Sequence, residues 1–221
     1  MAELPNREEL EAILAKAVGK EFALEFEELM AALGEPPDPA NLPSEFWEGK
    51  RMRATVEPLL MNTFLVSAED AMIQLTIGVD WGLVNQSAID WASRYTFDLV
   101  TGINNTSRGV IQRGIDAYFR DGLSNKELAS LLEPTFGPVR AEMIAVTETT
   151  RASVEGGREI DRQIEKDNPN IRMIPIWLTA NDDRVCPICG PRHNQPITNG
   201  EYPPAHPRCR CDYRSEMTVI E

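Results

Sequence analysis

The feature that most restricts this chain is the placement of its cysteines. All four fall in one 26-residue stretch near the carboxyl end, as Cys186-Pro-Ile-Cys189-Gly and then His206-Pro-Arg-Cys209-Arg-Cys211. In Cys-Pro-x-Cys-Gly two thiolates turn toward one metal while backbone N–H groups are free to hydrogen-bond the sulfurs, and the second cluster can complete a tetrahedron. The spacing therefore favours a structural zinc (Zn2+) site over a redox dithiol or disulfide pair and over unrelated free thiols. Five donors compete for four positions. Cys186, Cys189 and Cys209 take three, and His206 and Cys211 are alternatives for the last.

A structural site is closed by protein ligands, whereas a catalytic zinc keeps an open position beside an acid or base. Both histidines, His193 and His206, lie downstream of Cys189, so the His-x-Glu then Pro-Cys-x-x-Cys order of zinc deaminases is missing, and His-Glu-x-x-His is absent. His193 sits in the loop Pro-Arg-His-Asn-Gln-Pro and reads as a solvated residue rather than a ligand. Neither a Gly-rich phosphate loop nor a Gly-x-Ser-x-Gly elbow occurs. No catalytic residue is assigned, and enzyme activity is not expected.

Ahead of the cysteines the pattern is helical. Leu10, Ile13, Leu14, Ala17, Val18, Phe22, Phe26, Leu29, Met30 and Leu33 recur at three-to-four spacing up to Gly34, with Asn6 and Glu9 as a capping box. This stripe needs a partner, either the chain's own core or another protein. Residues 35–43 (EPPDPANLP) read as an extended linker, and Ser44 as the cap of a second helix, with Pro58 kinking or ending it and helical pattern continuing to about Ile77. Residues 85–103 read as a third helix, with a turn and new cap at Asn104 to Thr106 for a helix ending near Gly122. Ser124 with Glu127 forms a capping box, and Pro138 opens a long helix to Lys166 with Gly156-Gly157 as a point of interruption. Residues 172–179 and 211–220 read as strands, the first confined to an edge by Pro175. The fold class is thus mainly α with a small C-terminal zinc-stapled α/β module (α+β). Its parts are an N-terminal helix and Pro-rich linker (1–43), a helical domain (44–167) and a zinc-binding module with short strands (168–221).

Charge narrows the partners. The 221 residues hold 22 Lys+Arg against 35 Asp+Glu, a net of −13, and the deficit lies mostly in residues 1–138, which carry 11 basic and 22 acidic groups. Residues 139–221 are nearly balanced, with 11 and 13. Weak or no direct DNA binding follows, because a polyanion is repelled by such a balance. No apolar run reaches the roughly eighteen residues of a spanning helix, and the acidic start is unlike a signal peptide, so no membrane role is expected.

The segment WLTANDDRVCPICGPRHNQ followed by YPPAHPRCRC resembles the carboxyl-terminal signature of the phage Mu protein F-like minor head proteins, the phage head morphogenesis family. Arg140 to Glu148 with Arg151-Ala152, and Gly122 to Leu128, are similar to that family's helical segments, so the resemblance spans about residues 85–214. It implies a minor structural protein of a tailed phage head, associated with the portal protein and/or the major capsid protein, and acting in head morphogenesis or genome delivery. Its place would be the virion, at the head interior or portal vertex, and the host cytoplasm during assembly. A zinc-dependent nuclease or other DNA-acting hydrolase, and a non-catalytic zinc-ribbon nucleic-acid adaptor, are the alternatives. The first requires a spare acid or base at an open metal position, and the second a basic surface. Trp177 reads as a core residue packing the cysteine module on the long helix, and Trp81, Trp91 and Tyr95 as helix core. Glu148 and Arg151 form either a solvated pair or a buried contact.

Overall fold

A computed structural model describes residues 4–75, 78–179 and 185–220. Five helices run α1 (Arg7–Leu33), α2 (Lys50–Leu75), α3 (Trp81–Asp121), α4 (Asn125–Leu132) and α5 (Pro138–Asp167), followed by strands β1 (Ile171–Leu178) and β2 (Asp212–Val219). The strands pair antiparallel, Ile171 opposite Val219 through Leu178 opposite Asp212. The mainly α architecture with one small carboxyl-terminal sheet is as the sequence indicates.

α5 is the axis. Six of its buried positions are small (Ala141, Ala145, Ala152, Ser153, Gly156, Gly157), and α1, α2 and the β-strands all pack against it. A Cβ at Gly156 would come 2.1 Å from the Phe64 carbonyl oxygen of α2, and one at Gly157 would come 2.9 Å from the Tyr213 hydroxyl of β2. The diglycine therefore does not interrupt the helix. Continuous i to i−4 bonding is retained, and the missing side chains admit a neighbouring backbone and a tyrosine at short range.

Leu14, Val18, Phe22, Leu29 and Leu33 of α1 are buried in the main core with Met52, Val56 and Leu60 of α2 and with Ala141 and Ala145 of α5. Apart from Ile13, which is exposed, the amino-terminal stripe is thus covered by this chain itself. A second cluster joins Phe64, Ala68, Val84, Ala88, Ile160, Ile164 and Met173. Trp81, Trp91 and Tyr95 pack at the edges of these clusters, with the Trp91 and Tyr95 rings stacked at 5.1 Å.

Several local expectations are corrected. Asn6 precedes α1 in a left-handed conformation (φ 55°) without a side-chain cap, so no capping box forms with Glu9. The stretch after Gly34 is not wholly extended: 3-10 turns occupy Pro39–Asn41 and Ser44–Trp47, and α2 begins only at Lys50. Ser44 bonds to Glu45 rather than capping α2, and Pro58 lies inside the helix without ending it. No break occurs at residues 104–106. Asn104 donates to the Trp47 carbonyl, and Thr106 and Ser107 bond back to the carbonyls of Gly102 and Ile103, so the turn-forming side chains leave the backbone ladder intact. α3 consequently runs unbroken for 41 residues, about 61 Å. The Ser124–Glu127 capping box and Pro138 in the first turn of α5 are as read from the sequence; β1 is displaced by one residue from its expected limits, and β2 is one residue shorter at each end. The expected end of the second helix near Ile77 lies outside the described residues. Among the described residues no helix is long and apolar enough to cross a membrane.

Candidate metal centre

The Cys-Pro-x-Cys-Gly turn folds as its sequence demands. The N–H groups of Cys189 and Gly190 both donate to the Cys186 carbonyl, at 3.2 and 2.9 Å, and the Cys189 N–H also lies 3.4 Å from Cys186 Sγ. A 3-10 turn over Gly190–Arg192 then carries the chain to His193. Asn194 to Ile197 bond alongside β1, with Trp177 N–H donating to the Gln195 carbonyl and Ile197 N–H to that of Pro175. These bonds use the outer edge of β1 around Pro175, the edge position that proline requires.

The second cysteine segment is laid against α5 by threonines. Thr150 donates to the Cys209 carbonyl at 2.7 Å, and Arg208 N–H donates to Thr147 Oγ1 at 2.9 Å. α1 completes the seat. Arg7 donates to Thr150 Oγ1 (2.9 Å) and to Asp212 (3.3 Å), while Arg210 donates to Glu11 at 2.7 Å. Thr147, Thr150, Arg7 and Glu11 were not singled out by sequence reasoning. The only local sign of the threonines is the poor helix-forming run Thr147-Glu-Thr-Thr150 in a long helix, and Arg7 and Glu11 carry no sign at all.

Two overlapping triads result: Cys186, Cys189 and His206, and Cys189, Cys209 and Cys211, each with its ligand atoms within 4.8 Å of one another. His206 Nε2 lies 3.0 Å from Cys186 Sγ and 3.3 Å from Cys189 Sγ, and Cys189 Sγ lies 3.8 Å from Cys209 Sγ. A tetrahedron with metal–sulfur bonds of about 2.3 Å has sulfur–sulfur edges of about 3.8 Å. The Cys189–Cys209 separation is that of one such edge, and Cys189 is the donor common to both triads. His206 Nδ1 is 2.8 Å from the Pro207 carbonyl oxygen. That bond puts the ring proton on Nδ1 and directs the Nε2 lone pair at the sulfurs, the outer-sphere arrangement usual for metal-binding imidazole. Cys189, Cys209 and Cys211 are buried, and Cys186 and His206 are partly so.

Electrostatics readies part of the set for a cation. The Cys189 N–H holds the Cys186 thiol below its ordinary range. A hydrogen bond from Cys211 lowers Cys209 to about 5, and the same bond raises Cys211, the proton donor. Burial pushes Cys189 up to about 12. The Pro207 carbonyl raises His206. One cavity of about 270 Å³, bordered by Glu142, Val146, Val185 and Arg208, adjoins the donors.

His193 stands apart from these donors. It is half-buried, and its Nδ1 takes the Thr179 N–H at 3.2 Å. Trp177 is buried against Cys189, Cys209 and Cys211, closing the centre from the strand side. Glu148 is a buried link between helices: it accepts from Tyr95 at 2.5 Å and from Arg151 at 3.2 Å, and burial raises its pKa.

Residues 110–214 match the model of the family described as Phage Mu protein F like protein. This part of the chain, just under half of it, is similar to that family. It runs from the last turns of α3 into β2 and so includes all five donors and both supporting threonines, while α1, with Arg7 and Glu11, lies outside it. The match begins later than the resemblance, which starts near residue 85. No curated protein and no solved structure matches the chain.

Proposed function

We propose that this chain is a minor, non-catalytic head protein of a tailed phage, that one zinc ion holds its carboxyl-terminal module, and that it attaches to the portal during head assembly. The observation that carries the reading is the family match over the residues that build the cysteine centre and its seat on α5. Zinc suits a set of thiolates with one imidazole. We assign Cys186, Cys189, Cys209 and His206 as its ligands and Cys211 as the thiol that hydrogen-bonds the Cys209 sulfur. The imidazole is preferred over Cys211 because its Nδ1 bond to Pro207 already aims Nε2 at two sulfurs. On this reading residues 168–221 are the metal-dependent module, 44–167 the helical body, and 1–43 the strap whose α1 pins the module.

Four ligands close the site, which supports structure over catalysis. Purified protein with Mg2+, Mn2+ or Zn2+ is expected to leave single- and double-stranded DNA intact, and a nuclease activity lost in His206→Ala would refute that. The portal assignment is tested by measuring the chain in heads assembled with and without portal. Incorporation only with portal supports it, and equal incorporation in portal-free heads refutes it.

A further inference from the structure

Three arginines beside the metal centre are held in a way that the centre does not use. Arg151 and Arg158 are seven residues apart on α5, two turns on one face, and Arg192 reaches toward them from the turn after Cys189. All three line one groove of about 490 Å³, whose walls include Glu155, Glu201 and the segment Tyr202-Pro203-Pro204. Each guanidinium lies over an aromatic ring: Arg151 over Tyr95 at 5.4 Å, Arg158 over Tyr202 at 4.3 Å and Arg192 over Trp177 at 4.9 Å. Stacking fixes the plane of a guanidinium and leaves its edges, where the N–H groups are, to a ligand.

The carboxylates nearby do not saturate these edges. Arg151 gives its Nε to Glu148, Arg158 pairs through one Nη with Glu155, and Arg192 approaches Glu201 only to 3.5 Å. A guanidinium has five N–H donors, so among the described residues most of them meet no carboxylate. The three side chains are 37, 33 and 36% exposed, accessible yet partly desolvated, where charge-assisted hydrogen bonds to an oxyanion are stronger than at an open surface.

We propose that this groove binds an acidic peptide segment of a partner protein, with the three arginines as carboxylate forks and Tyr202-Pro203-Pro204 as its apolar wall. A peptide fits better than nucleic acid. Glu155 and Glu201 stand in the groove and the chain carries −13, so a continuous row of phosphates is repelled, whereas a peptide can space its acids to meet the arginines alone. The inference does not depend on the head-protein reading: the groove takes or refuses such a peptide whichever assembly the chain serves.

The test is fluorescence anisotropy of a labelled hexaglutamate peptide with the full-length, metal-loaded protein, with unlabelled peptide, inorganic phosphate and a short DNA duplex as competitors. Binding is expected to weaken with salt and to fall roughly tenfold or more in Arg158→Gln or Arg192→Gln. Glu201→Gln removes the competing carboxylate and is expected to tighten binding. Glu201 is 63% exposed, so this variant folds and keeps the test valid if an arginine variant does not. Phosphate is expected to displace the peptide only at far higher concentration than the unlabelled peptide. Absence of peptide binding, an affinity unmoved by all three substitutions, or displacement by phosphate or duplex DNA at lower concentration than by unlabelled peptide overturns the proposal. The last outcome would assign the groove to free phosphate or nucleic acid instead.

Discussion

Gly156→Ala is the substitution for which local and tertiary physics disagree most. In a helix interior, alanine is favoured over glycine by about 1 kcal/mol, so the sequence alone predicts stabilisation. In the folded chain the added Cβ would sit 2.1 Å from the Phe64 carbonyl oxygen, 3.0 Å from its carbon and 3.1 Å from Ala68 N. These are backbone atoms of α2 and cannot swing away. Reaching even a tight contact of about 3 Å requires α2 and α5 to part by about 1 Å, and a gap of that size forfeits a quarter to a half of each facing dispersion contact. Phe64, Ala68, Ala152 and Ile160 are buried around this crossing. Overpacking typically costs about 1–3 kcal/mol, and a backbone obstacle places this case at or beyond the upper end, for a net loss of about 2 kcal/mol or more. At roughly 2–4 °C per kcal/mol for a chain of this size, Tm falls by about 4–8 °C. Gly102→Ala is the control, since that helical glycine is exposed with nothing within 4 Å of its added Cβ, and it is expected to stabilise by about 0.5–1 kcal/mol. Thermal and urea unfolding followed by circular dichroism compare the two. If Gly156→Ala is as stable as the parent while Gly102→Ala gains, the close approach of α2 and α5 is wrong.

Cys186→Ser and Cys189→Ser are expected to abolish stoichiometric metal and to unfold the segment from about Ile176 onward while the helices persist, read by elemental analysis with Trp177 fluorescence and far-ultraviolet dichroism. His206→Ala is expected to cost far more metal affinity than Cys211→Ser, by chelator competition, and the reverse order would make Cys211 the fourth ligand. Glu25 lies in a row with Glu21 and Glu28, which share Arg51, and burial raises it from 4.5 to about 7. Because the folded state then binds the proton more tightly than the unfolded chain, this group's contribution falls as pH rises from 4.5 to 7 and is level above that. Glu25→Gln should therefore match the parent near pH 4 and exceed it by about 1–3 kcal/mol above pH 7, measured as urea midpoints against pH; equal midpoints throughout would refute the burial argument.

Features that depend on neighbours along the chain are legible in the order of residues. Clustered cysteines and the Cys-Pro-x-Cys-Gly turn placed the candidate centre, Ser124 with Glu127 and Pro138 placed two helix starts, and a β-branched and aromatic run placed the first strand. Tertiary structure decided everything set by what approaches from elsewhere. Asn104 reads as a turn residue until the Trp47 carbonyl is there to take its amide, and Gly156-Gly157 read as a break until Phe64 and Tyr213 fill the space of the missing side chains. The seat of the metal centre was the least legible, because Arg7 and Glu11 meet Asp212 and Arg210 across some two hundred residues of chain. Ion pairs of that kind leave no periodicity or spacing in the sequence, since their partners are chosen by the packing of α1 against α5.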